Sequence, residues 1–122
     1  MTTGKIETGR RGENIAAEYL LLRGYDIIGR NLRAGRYEID LVALDGDCMV
    51  FVEVRTRRSA AFGTAVETAV EGKLSRMRKA AREYLAAGAW RSEARQYRFD
   101  LVAIDIDRPG DSMTLDHIRG IF

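Results

Sequence analysis

At 122 residues the chain has room for one hydrophobic core, and its 46% hydrophobic and 31% charged side chains make a globular rather than a disordered balance. A single cysteine, Cys48, and a single histidine, His117, exclude an intrachain disulfide and a zinc site built on Cys and His; any bound metal must therefore take oxygen ligands, which favours Mg²⁺, Mn²⁺ or Ca²⁺. The net charge of +2 is segregated: residues 1–54 carry −2, residues 55–98 carry +7 and residues 99–122 carry −3.

The positive central block suits a phosphate-contacting face, although a solvated helix surface has the same composition. The longest wholly apolar run, Cys48 to Val52, is too short to span a bilayer. Residues 1–11 hold no apolar segment of the kind a signal peptide needs, so a cytoplasmic protein with no membrane role is expected.

Residues 1–8 read as a flexible tail, ahead of one domain over 9–122. The first helix is expected from about Arg10 to Arg23: Ile15, Ala16, Tyr19, Leu20 and Leu22 recur at helical spacing, and Gly24 supplies a stop. Three strands follow, over Tyr25–Leu32, Tyr37–Leu44 and Cys48–Arg55. The Asp45-Gly46-Asp47 turn pairs the last two antiparallel. The Cys48 strand is apolar on both faces through Val52, which predicts a central place in the sheet.

A second helix carries Val70, Leu74, Met77, Ala81, Tyr84, Leu85 and Gly88 on one stripe, with Arg76, Arg78, Lys79 and Arg82 opposite. Tyr97–Ile106 reads as a fourth strand, Asp107–Asp111 as a turn and Met113–Phe122 as a short fifth strand with a terminal turn. The order α-β-β-β-α-β predicts an α/β fold, a mixed sheet flanked by helices.

Two carboxylates break the apolar pattern. Glu53 stands inside Met49-Val50-Phe51-Val52-Glu53-Val54, and Asp40 inside Ile39-Asp40-Leu41-Val42. A buried carboxylate costs several kcal/mol, on the order of 3 or more, unless a cation or hydrogen bonds offset it. Pairing across the Asp45–Asp47 turn brings both acids to one end of the sheet, where a divalent ion would relieve their repulsion. The competing reading is that Glu53 simply pairs with Arg55 or Arg57.

Glu38 through Ala43, a gap, and Val50-Phe51-Val52-Glu53-Val54-Arg55-Thr56-Arg57 resemble the PD-(D/E)xK nuclease signature. More narrowly, they are similar to the small bacterial YraN-like family, related to archaeal Holliday junction resolvases. Gly12-Glu13, Tyr19-Leu20, Gly24-Tyr25, Arg30-Asn31, Arg33, Phe62-Gly63, Lys73, Tyr84-Leu85, Arg98-Phe99-Asp100 and His117-Ile118 extend the likeness along nearly the whole chain.

The resemblance implies a restriction-endonuclease-like fold and a magnesium- or manganese-dependent endonuclease acting on DNA, including branched or flapped forms. Asp40, Glu53 and the Val54 carbonyl would ligate the metal. Glu13 would hold a metal-bound water or a second ion, although an acid in a helix's first turn also suits the macrodipole. Arg57, Arg58, Lys73 and Arg76 would contact the nucleic acid, the first two from the loop leaving the Glu53 strand. A homodimer is expected by analogy with the resolvases.

The sequence departs from the signature at Arg55, where the nucleases have Lys. Arginine stabilises charge on a phosphate but hardly ever gives up a proton. Arg55 then acts as an electrostatic stabiliser, or Lys73 takes over the lysine's role, or the site binds without cutting. A bias towards arginine, which makes up 17 of the 20 basic residues, accounts for it equally well. Tyr37 stands where the family usually has Gly, and its side chain narrows access to the site. A non-catalytic nucleic-acid-binding module, and more remotely a protein-interaction scaffold, are the rival functions. Cys48 is expected to be a buried strand residue and His117 to be structural or on the surface; Phe62 and Trp90 could stack on bases, with packing or turn roles favoured.

Overall fold

The computed structural model describes residues 3–57, 74–87, 96–106 and 112–121. In chain order the elements are α1 (Thr3–Leu22), β1 (Asp26–Ala34), β2 (Tyr37–Asp45), β3 (Cys48–Arg57), α2 (Leu74–Ala86), β4 (Gln96–Ile106) and β5 (Met113–Ile118). The strands form one sheet in the order β1-β2-β3-β4-β5, antiparallel throughout except for the parallel β3–β4 pair. This is the mixed, helix-flanked α/β architecture the sequence predicts, with β3 at its centre.

α1 begins at Thr3, well before the Arg10 start expected from the pattern, and takes in most of the segment read as a flexible tail. Gly4 and Gly9 argue locally against helix, but once a helix is nucleated each further turn costs little. Its end is as expected. Gly24 takes a φ of 90°, its amide donates to Leu21 O at 3.0 Å, and the Tyr25 amide reaches Leu20 O at 3.0 Å. Those two bonds make a Schellman motif and satisfy carbonyls the helix leaves free.

The β1–β2 and β2–β3 hairpins turn on two residues led by a glycine of positive φ: Gly35-Arg36 joins β1 to β2, and Gly46-Asp47 joins β2 to β3. The first turn fixes Arg36 at a hairpin tip. α2 lies within the expected helical stripe; Val70 and Gly88, at the ends of that stripe, lie outside the described residues, as does the Asp107–Asp111 turn. Among the described residues no helix is long and apolar enough to cross a membrane.

Two apolar layers sandwich the sheet. Under α1, Ala16, Ala17 and Leu20 meet Leu41, Ala43, Val50, Val52, Val102 and Ile104. Under α2, Ala80 and Ala81 meet Ile39, Val42, Met49 and Phe51, with Leu32, Tyr84 and Phe99 packed alongside. Cys48 is buried in the first layer, as expected of a strand residue.

Ile39 and Leu41 should share a face, being two residues apart on one strand. Instead Leu41 belongs to the layer under α1 and Ile39 to the layer under α2. The paired strand shows the same break. Arg30, opposite Leu41, bonds Asn14 on α1, whereas Leu32, opposite Ile39, packs under α2. Between them stands Asn31 with a φ of 49°, the one described residue other than glycine in the left-handed region. Asparagine tolerates that conformation better than most side chains. The twist falls at Asp40, the residue between Ile39 and Leu41.

Candidate metal centre

β2 and β3 run antiparallel with Leu41 opposite Val52, so the next step along the ladder brings Asp40 level with Glu53. The two carboxyl groups lie within hydrogen-bonding reach of each other. The Val54 amide donates to Asp40 Oδ2 at 2.8 Å, so the carboxylate takes a main-chain donor beyond the last ladder pair. Glu53 accepts from the Arg55 guanidinium at 3.3 Å, and both side chains are mostly buried. The ion pair between Glu53 and Arg55 and the convergence with Asp40 therefore exist together; one does not replace the other.

Burial, the Glu53 charge and, more weakly, the Glu13 charge push the Asp40 carboxyl up to about 8, against the opposing pull of the Val54 amide. The cation-free centre thus favours the neutral Asp40 carboxyl. Glu13 reaches this centre through its field from α1, and its side chain does not line the cavity beside it.

That cavity, of about 520 Å³, is bordered by Asp40, Glu53, Val54 and Arg55, by Tyr37 and Glu38, and by Arg33, Arg36 and Arg76. Tyr37 stands at its wall, where the sequence suggested it would narrow access. Arg76 reaches the rim from α2 despite lying off the helix's apolar stripe. Arg57 ends β3 opposite Asp105 and does not border the cavity. Arg58 and Lys73, like Phe62 and Trp90, lie outside the described residues.

Arg33 and Arg36 were not legible as site residues, because charge counted by segment places them among residues 1–54, where the net charge is −2. The signal that finds them is the Gly35-Arg36 turn, which folds β1 back beside Glu38 and Asp40.

The donors present are two carboxylates and, as the resemblance implies, the Val54 carbonyl. Among the described residues no group of three or more His, Cys, Asp or Glu side chains is placed to hold an ion. Two carboxylates and a carbonyl still fit Mg²⁺, which commonly takes one or two protein carboxylates and keeps its other positions for water and phosphate.

A second polar cluster, in the layer under α1, was missed. Asp100 is fully buried and accepts from Arg98 Nε at 2.8 Å, His117 Nε2 at 2.7 Å and the Gly120 amide at 3.0 Å. Arg98 also reaches Asp45 at 3.1 Å and the Tyr25 hydroxyl at 2.7 Å, while Tyr19 meets His117 Nδ1 at 3.1 Å. Burial alone would raise the Asp100 carboxyl, but the bonds from His117, Arg98 and Gly120 prevail and hold it down at about 2. These partners come from α1, β2, β4, β5 and the turn after β5, so the cluster ties β5 and that turn to the sheet. The His117 ring is held within this cluster.

Comparison with known proteins agrees with the likeness read from the motifs. The chain is 42% identical over 122 residues to the UPF0102 protein CE1920 of Corynebacterium efficiens, covering 99% of this chain and 96% of the relative. It is 40% identical over 117 residues to a UPF0102 protein of Kineococcus radiotolerans, covering 96% and 94%, and 42% identical over 120 residues to one of Rhodococcus opacus, covering 96% and 97%. The family pattern described as "Uncharacterised protein family UPF0102" matches residues 12–104, a stretch that contains Glu13, Asp40, Glu53 and Arg55. The chain belongs to the UPF0102 family, the YraN-like family its motifs resemble.

Proposed function

We propose that the protein is a metal-dependent DNA endonuclease whose centre is Asp40, Glu53 and Val54. The observation that carries this reading is the meeting of two carboxyl groups from neighbouring strands in a cavity that Arg33, Arg36, Arg55 and Arg76 also border. Acidic oxygens for a hard cation and guanidinium groups for phosphate are what phosphodiester hydrolysis requires at one place.

Bound there, Mg²⁺ or Mn²⁺ would activate water and offset charge developing on the phosphate. The chain's own residues do the rest. The Val54 amide fixes the Asp40 carboxylate. Arg55 fixes Glu53 and keeps its guanidinium at the cavity wall, with its Nε buried and without a hydrogen-bond partner among the described residues. Arg33, Arg36 and Arg76 supply further donors to phosphate oxygens. Glu13 adds negative potential from α1.

Purified protein incubated in Mg²⁺ or Mn²⁺ with linear, nicked, flapped and four-way DNA tests the reading. Cutting is expected, and it should disappear in both Asp40→Ala and Glu53→Ala. Cleavage that survives both substitutions would place the activity elsewhere.

One observation favours a second reading. Arg55 stands where a lysine could accept a proton, and it is already engaged by Glu53. A nucleic-acid-binding module that has lost the chemistry would bind DNA with steep salt dependence, cut in no metal and change little on Asp40→Asn.

A further inference from the structure

The centre leaves two features unexplained: the positive φ of Asn31, and a cavity of about 580 Å³ between α1 and β1 lined by Arg10, Arg11, Asn14 and Arg30. They have one explanation. In an unbroken strand Arg30 and Arg33, three residues apart, would point to opposite faces. Here Leu32 folds back over Gly29, so near that a Cβ on the glycine would stand 2.4 Å from a Leu32 methyl. Leu32 and Ala34 both belong to the layer under α2. By alternation Arg33 lies on the other side, the side on which Arg30 bonds Asn14. The left-handed turn at Asn31 thus puts both arginines on one face of an edge strand.

Both cavities border that strand. Arg30 lines one; Arg33 and Arg36 line the other, beside Asp40 and Glu53. At about 3.3 Å per strand residue Arg30 and Arg33 stand roughly 10 Å apart, about three base steps along a duplex axis, and Arg36 lies just beyond at the hairpin tip. Arg10 and Arg11 widen the series at the α1 end. Against these five guanidinium groups stand Glu18 in the first cavity and Glu38, which lies 4.0 Å from Arg33 with both side chains exposed. The five basic groups are all arginine, whose planar fork suits the two free oxygens of a phosphate.

We infer that the β1 edge is a rail for the sugar–phosphate backbone of a duplex arm. Arg30, with Arg10 and Arg11, holds phosphates about three base steps from those gripped by Arg33 and Arg36 beside the carboxylates. This rests on the nuclease reading for its substrate, but not on cleavage. It also moves the main binding surface from the central basic block to arginines contributed by residues 1–54, whose net charge is −2.

The test is fluorescence anisotropy of a labelled duplex of about 30 base pairs in EDTA, across a salt series. Arg10→Gln/Arg11→Gln/Arg30→Gln is compared with wild type and with Arg78→Gln on α2. A parallel assay follows Mn²⁺-dependent hydrolysis of thymidine 5′-p-nitrophenyl phosphate, too small to reach the rail. The triple variant is expected to bind the duplex at least tenfold more weakly, with a salt slope flatter by about 2 to 3. It should hydrolyse the small ester as wild type does. Arg10→Gln/Arg11→Gln, which leaves the Arg30–Asn14 bond intact, should give a smaller loss in the same direction and guards against misfolding of the triple variant. Unchanged affinity and slope in both variants would overturn the rail and leave the carboxylate centre standing. Equal displacement of the duplex by polyglutamate would overturn it too. A wild type that binds through these arginines yet hydrolyses nothing would support the rail and fault the centre.

Discussion

Gly12 on α1 lies so close to Thr56 on β3 that a Cβ on the glycine would stand 1.9 Å from the threonine hydroxyl and 3.1 Å from its Cβ. The helix can approach the sheet at this level only because residue 12 has no side chain. Glu13 follows immediately, so this close contact is what brings its charge within range of Asp40.

Gly12→Ala should therefore push α1 outward. Overpacking of this kind costs about 1–3 kcal/mol, against roughly 1 kcal/mol gained in helix propensity. Urea unfolding should show net destabilisation, and Gly12→Ala/Thr56→Ala should recover most of it. A single variant as stable as wild type would mean the contact is slack.

The pH dependence of the cation-free protein should be unusual. Asp40 titrates at about 8 in the folded chain and near 3.9 when unfolded, so across that window the native state binds the extra proton. Stability must then fall as pH rises from about 4 to 8. Thermal melts in EDTA should show a lower Tm at pH 8 than at pH 5.5, with the slope reduced in Asp40→Asn. Because a cation displaces that proton, Mn²⁺ should restore Tm most at the alkaline end.

Asp100 has the opposite sign. Its carboxyl is held at about 2, so its contribution is complete above about pH 4 and disappears as pH falls through 2. Asp100→Ala leaves Arg98 buried beside a lost partner and should cost about 3–5 kcal/mol in urea unfolding. Affinity for Mn²⁺ should hold, since the cluster contributes no oxygen to the Asp40 centre.

Arg55 separates positioning from chemistry. If its guanidinium supports charge on the phosphate, Arg55→Ala should lower kcat by about 10²-fold, with Arg55→Lys intermediate. Calorimetry should find Mn²⁺ bound by both variants. A kcat unchanged in Arg55→Ala would leave this residue only the task of holding Glu53.

Much of the architecture was legible because it is written in short-range patterns. Asp45-Gly46-Asp47 announced the β2–β3 hairpin, and that hairpin alone brings Asp40 level with Glu53. The doubly apolar run from Cys48 to Val52 announced a central strand. What escaped depends on contacts distant in the chain or on single backbone angles. His117 meets Asp100 across 17 residues and Tyr19 across 98, and no periodicity links them. Asn31 permits a left-handed turn but does not announce one inside a strand, so the break in alternation at Asp40 and the alignment of Arg30 with Arg33 were invisible. Arg58 and Lys73, expected to contact nucleic acid, lie outside the described residues.

The parallel β3–β4 ladder sets an order of assembly. Cys48 must find Gln96, and Arg57 must find Asp105, each across 48 positions, whereas Asp40 and Glu53 meet through one tight turn. Closing the longer loop costs more chain entropy before any contact repays it. The half of the molecule that holds the acidic pair can therefore organise while β4 is still being recruited. The last step to register should be the docking of β4 with β5 behind it.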